Sequence, residues 1–202
     1  MKVYIVGKDK NCVSFMKDIQ VVSKPAYADV VIFCGVGDVS KSCINETFPA
    51  QIPTNISLEK TFTKMFEKIP KDKICIGFGF GAQMLGVLNG SDLAVVGGHI
   101  GIMPHRLAVS TEDRVFDGYW YWCNSYHTKC LYPFNVQEMS ILGYALDGCI
   151  IDRESNVPEI VEFHLKDKPK CLCIQSNPEL LPDTAVAEMF NSLIHNYVNN
   201  KC

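Results

Sequence analysis

Lys73-Ile-Cys-Ile-Gly-Phe-Gly-Phe-Gly-Ala-Gln-Met-Leu-Gly-Val-Leu-Asn-Gly90 joins two apolar runs through a turn studded with glycine. Ile74 to Phe78 is short and continuously apolar, the pattern of a strand covered on both faces of a sheet. Phe80, Met84, Leu85 and Leu88 then share a helical stripe that Gly90 ends. The stretch reads as strand, sharp turn and helix. Such a turn lifts one residue above the sheet, beside helix amides that can hold negative charge. The lifted residue here is Gly79, which has no side chain with which to attack a substrate.

Outward from this unit the chain alternates in the manner of a doubly wound sheet. Lys2 to Val6 and Val30 to Cys34 read as strands on one side of the central strand, with a short helix expected over Val13 to Ile19. Ser57 is the expected N-cap of a helix through Lys68, with Leu58, Phe62, Met65, Phe66 and Ile69 on its buried side. Beyond Gly90 shorter strands are expected at Leu93–Val96, Arg106–Ser110, Gly118–Cys123, Ser140–Leu146, Cys149–Asp152 and Glu159–Leu165, as an antiparallel extension. Leu172 to Gln175 returns to the main sheet, and Asp183 to Val198 forms a terminal helix.

The length of 202 residues suits one domain spanning 1–202 with a full core. With 48% hydrophobic and 20% charged residues and a net charge of -3, the composition is that of a globular protein and argues against nucleic acid as main partner. No apolar run reaches the roughly 20 residues of a membrane span, and the start lacks a signal-peptide pattern, so a cytoplasmic location is expected. Ten cysteines are present, but Cys34, Cys75, Cys149, Cys171 and Cys173 lie in strand-like runs and read as reduced core thiols. Cys171 and Cys173 have no second pair at zinc spacing, so neither metal nor cofactor is expected.

The turn admits more than one reading. Gly77-x-Gly79-x-x-Ala82 fits a dinucleotide fingerprint, but that pattern belongs after the first strand of its unit and wants an acid at the end of the next, whereas Asp92 precedes its strand. A second reading is that the glycines only allow close packing. A third comes from the rest of the chain. Gly77-Phe-Gly79-Phe-Gly81-Ala-Gln83 resembles the Gly-x-Cys-x-Gly-x-Gln elbow of class I glutamine amidotransferases, with Gly79 in the cysteine's place. Ala28-Asp-Val-Val-Ile-Phe-Cys-Gly-Val-Gly-Asp38 resembles the family's strand and oxyanion loop. Asn124-Ser-Tyr-His127 and Ala145-Leu-Asp-Gly148 resemble segments of its γ-glutamyl hydrolase-like branch. Cys173-Ile-Gln-Ser-Asn-Pro-Glu179 resembles its Val-Gln-Phe-His-Pro-Glu segment, with Asn177 in the histidine's place.

The four segments are collinear over residues 2 to 198. The resemblance implies a flavodoxin-like three-layer α/β sandwich, with a mainly parallel central sheet and a small antiparallel extension. It also implies that Gly79, Asn177 and Glu179 occupy the triad positions. Only the glutamate keeps the family's chemistry, because glycine supplies no thiolate and asparagine no titratable nitrogen. The implied pocket is lined by Gly35, Val36, Phe80, Gln83, Ser125, Tyr126 and His127. Its amides would suit a γ-glutamyl-like ligand, a carboxylate or a phosphate. On this reading the chain is a ligand-binding or scaffolding subunit, of a synthetase or of a homo-oligomer. Two alternatives stay open: altered hydrolase or transferase chemistry using His127 and Glu179, and an interaction module with a silent pocket. His99 and His105 receive no role.

Overall fold

A computed structural model describes residues 1–7, 10–45, 54–97, 99, 105–109, 120–124, 126–146, 149–150, 156–180 and 185–199. In chain order the elements are β1 (Lys2–Val6), β2 (Gln20–Val21), β3 (Val30–Gly35), α1 (Ile56–Phe66), β4 (Ile74–Gly79), α2 (Phe80–Leu88), β5 (Asp92–Gly97) and β6 (His105–Val109). They continue with β7 (Trp120–Cys123), β8 (Lys129–Tyr132), β9 (Met139–Ala145), β10 (Cys149–Ile150), β11 (Val157–Phe163), β12 (Lys170–Ile174) and α3 (Ala185–Asn199).

Among the described residues nine strands form one sheet in the order β2-β1-β3-β4-β12-β11-β9-β6-β7. The first five are parallel, in the flavodoxin-like order, and the last four continue the sheet antiparallel. A second, three-stranded sheet, β10-β5-β8, is antiparallel. The extension read from the sequence is thus divided between the far half of the main sheet and this smaller one. β2 and β8 are additions to the sequence reading.

Each face of the sheet buries its own core, which makes the architecture three layers. Phe190, Leu193, Ile194 and Val198 of α3 pack with Val3, Ile32, Ile76 and Leu172 on one face. Phe62 and Phe66 of α1, with Phe80 and Leu85 of α2, pack on Phe33, Cys75 and Cys173 on the other. β4 is buried at every position, as its unbroken apolar run requires.

Several local expectations are corrected. The helix expected over Val13 to Ile19 is a 3-10 turn at Lys10–Val13, and Asp18 takes a positive φ of 55°, which a helix cannot contain. α1 is capped by Asn55, whose side chain accepts from the Leu58 amide, so Ser57 lies inside the helix. Cys34 is joined to Cys12 by a disulfide, whereas Cys75, Cys171 and Cys173 are free and buried. No helix among the described residues is long and apolar enough to cross a membrane.

Among the described residues β7 forms the outer edge of the antiparallel half. Its Trp120 and Trp122 project outward, 54% and 49% exposed, and pack edge to face with centroids 5.8 Å apart. Tyr121 between them leans on the core, as strand alternation dictates.

Candidate functional site

The central turn is built by backbone proximity. β3 and β4 end level, with Gly35 opposite Gly79, so the chain leaves both strands at one place above the sheet. Gly79 caps α2 at φ 52°, ψ -116°, a region that side chains enter only under strain. Gly77 and Gly81 serve the approach of α2 to the sheet. A Cβ on Gly77 would stand 2.6 Å from the Gly81 carbonyl, and one on Gly81 only 2.0 Å from the Phe33 carbonyl oxygen.

Gly79, Asn177 and Glu179, the residues expected at triad positions, meet at this turn. A Cβ built on Gly79 would lie 2.6 Å from Asn177 Nδ2 and 2.9 Å from its Oδ1, so the Asn177 amide fills the space a nucleophile's side chain would need. Asn177 Nδ2 donates to Glu179 Oε1 at 2.9 Å. Asn177 is held in turn by Asn124, whose Nδ2 donates to the Asn177 carbonyl at 2.9 Å and whose Oδ1 accepts from the Asn177 amide at 3.1 Å. Losing both bonds should cost about 2 kcal/mol. Asn124→Ala should therefore lower the denaturation midpoint and speed hydrogen exchange at the Asn177 amide, whereas Asn177→Ala should cost less than about 1 kcal/mol. Equal losses in the two variants would contradict this account.

The implied pocket residues divide into two groups. Val36 and Tyr126 are exposed and Phe80 is buried at the head of α2. Ser125 lies outside the described residues, as does the Asp147-Gly148 segment. Gln83 is fully buried, and its amide is spent on the protein itself. Its Nε2 donates to Asp38 Oδ1 at 2.7 Å and to the Lys129 carbonyl at 2.8 Å, while its Oε1 accepts from the Val39 amide at 2.9 Å. Gln83 thereby fixes the loop after β3 and presents nothing to a ligand. Asp38 also accepts from the Thr128 amide at 3.0 Å and from the Thr128 hydroxyl. A groove of about 600 Å³ runs along α1 and α2 past Glu59, Thr63 and Met84, and none of the implied pocket residues lines it.

His127 is aimed at Glu159. Its Nδ1 donates to the Lys129 carbonyl at 3.0 Å, which directs Nε2 at Glu159 Oε1, 3.4 Å away. Glu159 is the extra residue of a β-bulge, since Pro158 opposes Tyr144 and Ile160 opposes Gly143. The bulge turns its carboxylate into a buried space where His99 Nδ1 stands at 3.2 Å and His105 Nε2 at 3.6 Å from the same oxygen. Burial alone would raise the Glu159 pKa, but the imidazoles, His127 foremost, hold it well below the usual carboxylate range. Burial would lower that of His127, and the Glu159 carboxylate outweighs it and raises it. Burial, then the Glu159 charge, pushes the nearby Cys123 thiol far up, so it is no thiolate nucleophile.

No protein-family model matches the sequence, and no curated protein matches it. Solved structures do. A protein from Thermoplasma acidophilum assigned to GMP synthase, as one of its subunits, has TM-score 0.59 at 15% identity, over 96% of this chain and 92% of its own. A glutamine amidotransferase from Thermotoga maritima has TM-score 0.59 at 12% identity, over 98% of each chain. Another, from Methylobacillus flagellatus, has TM-score 0.52 at 10% identity, over 99% of this chain and 74% of its own. At these identities the likeness is one of fold, and the fold of this chain is the glutamine amidotransferase-like α/β sandwich.

Proposed function

We propose that the chain is a degenerate glutamine amidotransferase-like domain of the γ-glutamyl hydrolase-like branch, without glutaminase activity, that serves in ligand binding or as a scaffold. The observation that carries this reading is the exchange at the turn: Gly79 offers no nucleophile, and the Asn177 amide stands where one would be. Losing a nucleophile typically removes about six orders of magnitude in rate, which leaves no useful turnover. The turn itself suits glycine, which enters its backbone region without strain.

What remains is suited to holding rather than cleaving. The level ends of β3 and β4 set Val36 and Phe80 just beyond Gly35 and Gly79 at the same turn, and two backbone amides converging there would suit a carboxylate or phosphate. One structural neighbour is assigned to GMP synthase, which suggests an amide-forming or nucleotide-modifying synthetase as partner. Chemistry by His127 with Glu179 is set aside, because His127 is directed at Glu159 and Glu179 is bonded to Asn177.

Ammonia release from glutamine should equal that of a no-enzyme control. Gly79→Cys should place a thiol at the α2 N-terminus, lowering its pKa below the roughly 8.5 of free cysteine and speeding its reaction with iodoacetamide beyond that of the native cysteines. Adding Asn177→His should raise that reactivity further, since a neighbouring imidazolium favours the thiolate. A new thiol no more reactive than the native ones, and indifferent to Asn177→His, would sink the vestigial-triad reading. Glutamine turnover by the unmodified protein on the order of one per second would sink the loss of activity.

A further inference from the structure

We propose that His99, His105, His127 and Glu159 form a binding site for one divalent first-row transition-metal ion, zinc being the ion the donor set suits. The proposal does not rest on the amidotransferase-like reading, and either can fail without the other.

The spacing of the donor atoms is the first argument. Ligands about 2.0–2.1 Å from a tetrahedral zinc ion lie roughly 3.3–3.4 Å from one another. Glu159 Oε1 is 3.2 Å from His99 Nδ1, 3.4 Å from His127 Nε2 and 3.6 Å from His105 Nε2, and His99 Nδ1 is 3.4 Å from His127 Nε2. The donor atoms of His99, His105 and Glu159 all fall within 4.8 Å of one another, and His127 Nε2, outside that trio, stands 3.4 Å from two of its atoms and is the candidate fourth donor.

The second argument is the state of the carboxylate. Glu159 is fully buried, and the described groups that reach its Oε1 are imidazole nitrogens 3.2–3.6 Å away, none of them in well-formed hydrogen-bond geometry. A buried carboxylate left so is costly, and a coordinated cation removes the cost. His127 points the same way. Its Nδ1–H is committed to the Lys129 carbonyl, which leaves Nε2 as the ring atom aimed into the cluster. A carbonyl holding the far nitrogen of a ring is also how metal-bound histidines are commonly oriented.

All four side chains are buried, which fits a structural site rather than an open catalytic one. The ion would tie β6 and β11 of the main sheet to the segment that leads into β8 of the smaller one. Imidazole and carboxylate donors suit zinc, and also cobalt, which reports by its colour. Cys123 Sγ lies 3.1 Å from His105 Nε2, close enough to enter the shell of a softer ion.

The test uses the full chain purified without a metal-affinity tag. Elemental analysis, or zinc titration of chelator-treated protein against a chromophoric chelator, should give one equivalent. Cobalt should give visible bands of four-coordinate intensity, and zinc should raise the thermal midpoint. Glu159→Gln and His105→Ala should each weaken zinc binding on the order of 100-fold. X-ray absorption on the unmodified zinc-loaded protein should show at least three imidazoles, a readout that survives if a variant does not fold. No bound metal, fewer than three imidazoles, or a stoichiometry and cobalt spectrum unchanged in both variants would overturn the site. In that event the cluster is a buried network of protons and charge.

Discussion

Gly81→Ala should destabilise the protein by about 3 kcal/mol or more, at the upper end of what overpacking does. The new methyl would stand 2.0 Å from the Phe33 carbonyl oxygen, 2.4 Å from its carbon and 3.0 Å from the Cys34 nitrogen. These are main-chain atoms of a central buried strand, so no rotamer change relieves the clash and α2 must lift from β3. Gly90→Ala is the control. Gly90 has a positive φ of 97° but open space around its Cβ position, so alanine there should cost only about 1–2 kcal/mol of backbone strain. Chemical denaturation with the slope held constant separates the two. A Gly81→Ala midpoint no lower than that of Gly90→Ala would refute the close-approach account.

Asp38→Ala should cost about 3–5 kcal/mol, because it leaves buried donors facing a void. Asp38 is fully buried; one oxygen serves Gln83 Nε2, and the other serves the Thr128 amide and hydroxyl. Through Gln83 the same carboxylate steadies Val39 and hence the loop that follows β3. Asp38→Asn keeps the shape but turns an amide N–H₂ toward a donor, so its loss should be smaller yet distinct. The Thr128 amide, which donates to Asp38 in the unmodified protein, should exchange with solvent faster in Asp38→Ala. An unchanged exchange rate and a midpoint within experimental scatter of wild type would show the network to be dispensable.

The parts of the fold carried by local pattern were legible in the sequence. The glycine spacing of residues 77–81 marked a strand, a sharp turn and a helix, and the structure has β4, Gly79 at positive φ and α2 there. The apolar runs marked most strands to within a residue or two. Where side-chain chemistry competes with pattern the reading failed: Asn55 took the cap that Ser57 seemed to offer, because capping depends on which residue lies just outside the first helical turn. Gln83, read as part of a pocket, is saturated by Asp38, Lys129 and Val39, and long-range polar pairing of this kind leaves no trace in residue spacing.

The histidine–glutamate cluster was illegible for a related reason. Residues 99, 105, 127 and 159 share no motif and are gathered only when β6 and β11 enter one sheet and a bulge aims Glu159 inward. One signal was present. Val157-Pro-Glu-Ile-Val-Glu-Phe places a proline and a carboxylate beside each other in a strand-like run, which is how a bulge with a purpose looks in sequence.

The two indoles on β7 give the molecule an unusual optical property. They are its only tryptophans, and both already stand about half in water at one margin of the sheet. The aromatic rings packed between the layers are largely phenylalanines, which contribute little to emission excited in the tryptophan band. Intrinsic fluorescence therefore watches a border and is nearly blind to the interior. A melt followed by emission and one followed by far-ultraviolet dichroism will coincide only where border and interior melt together, so the pair of curves measures how cooperative the antiparallel half is with the parallel half.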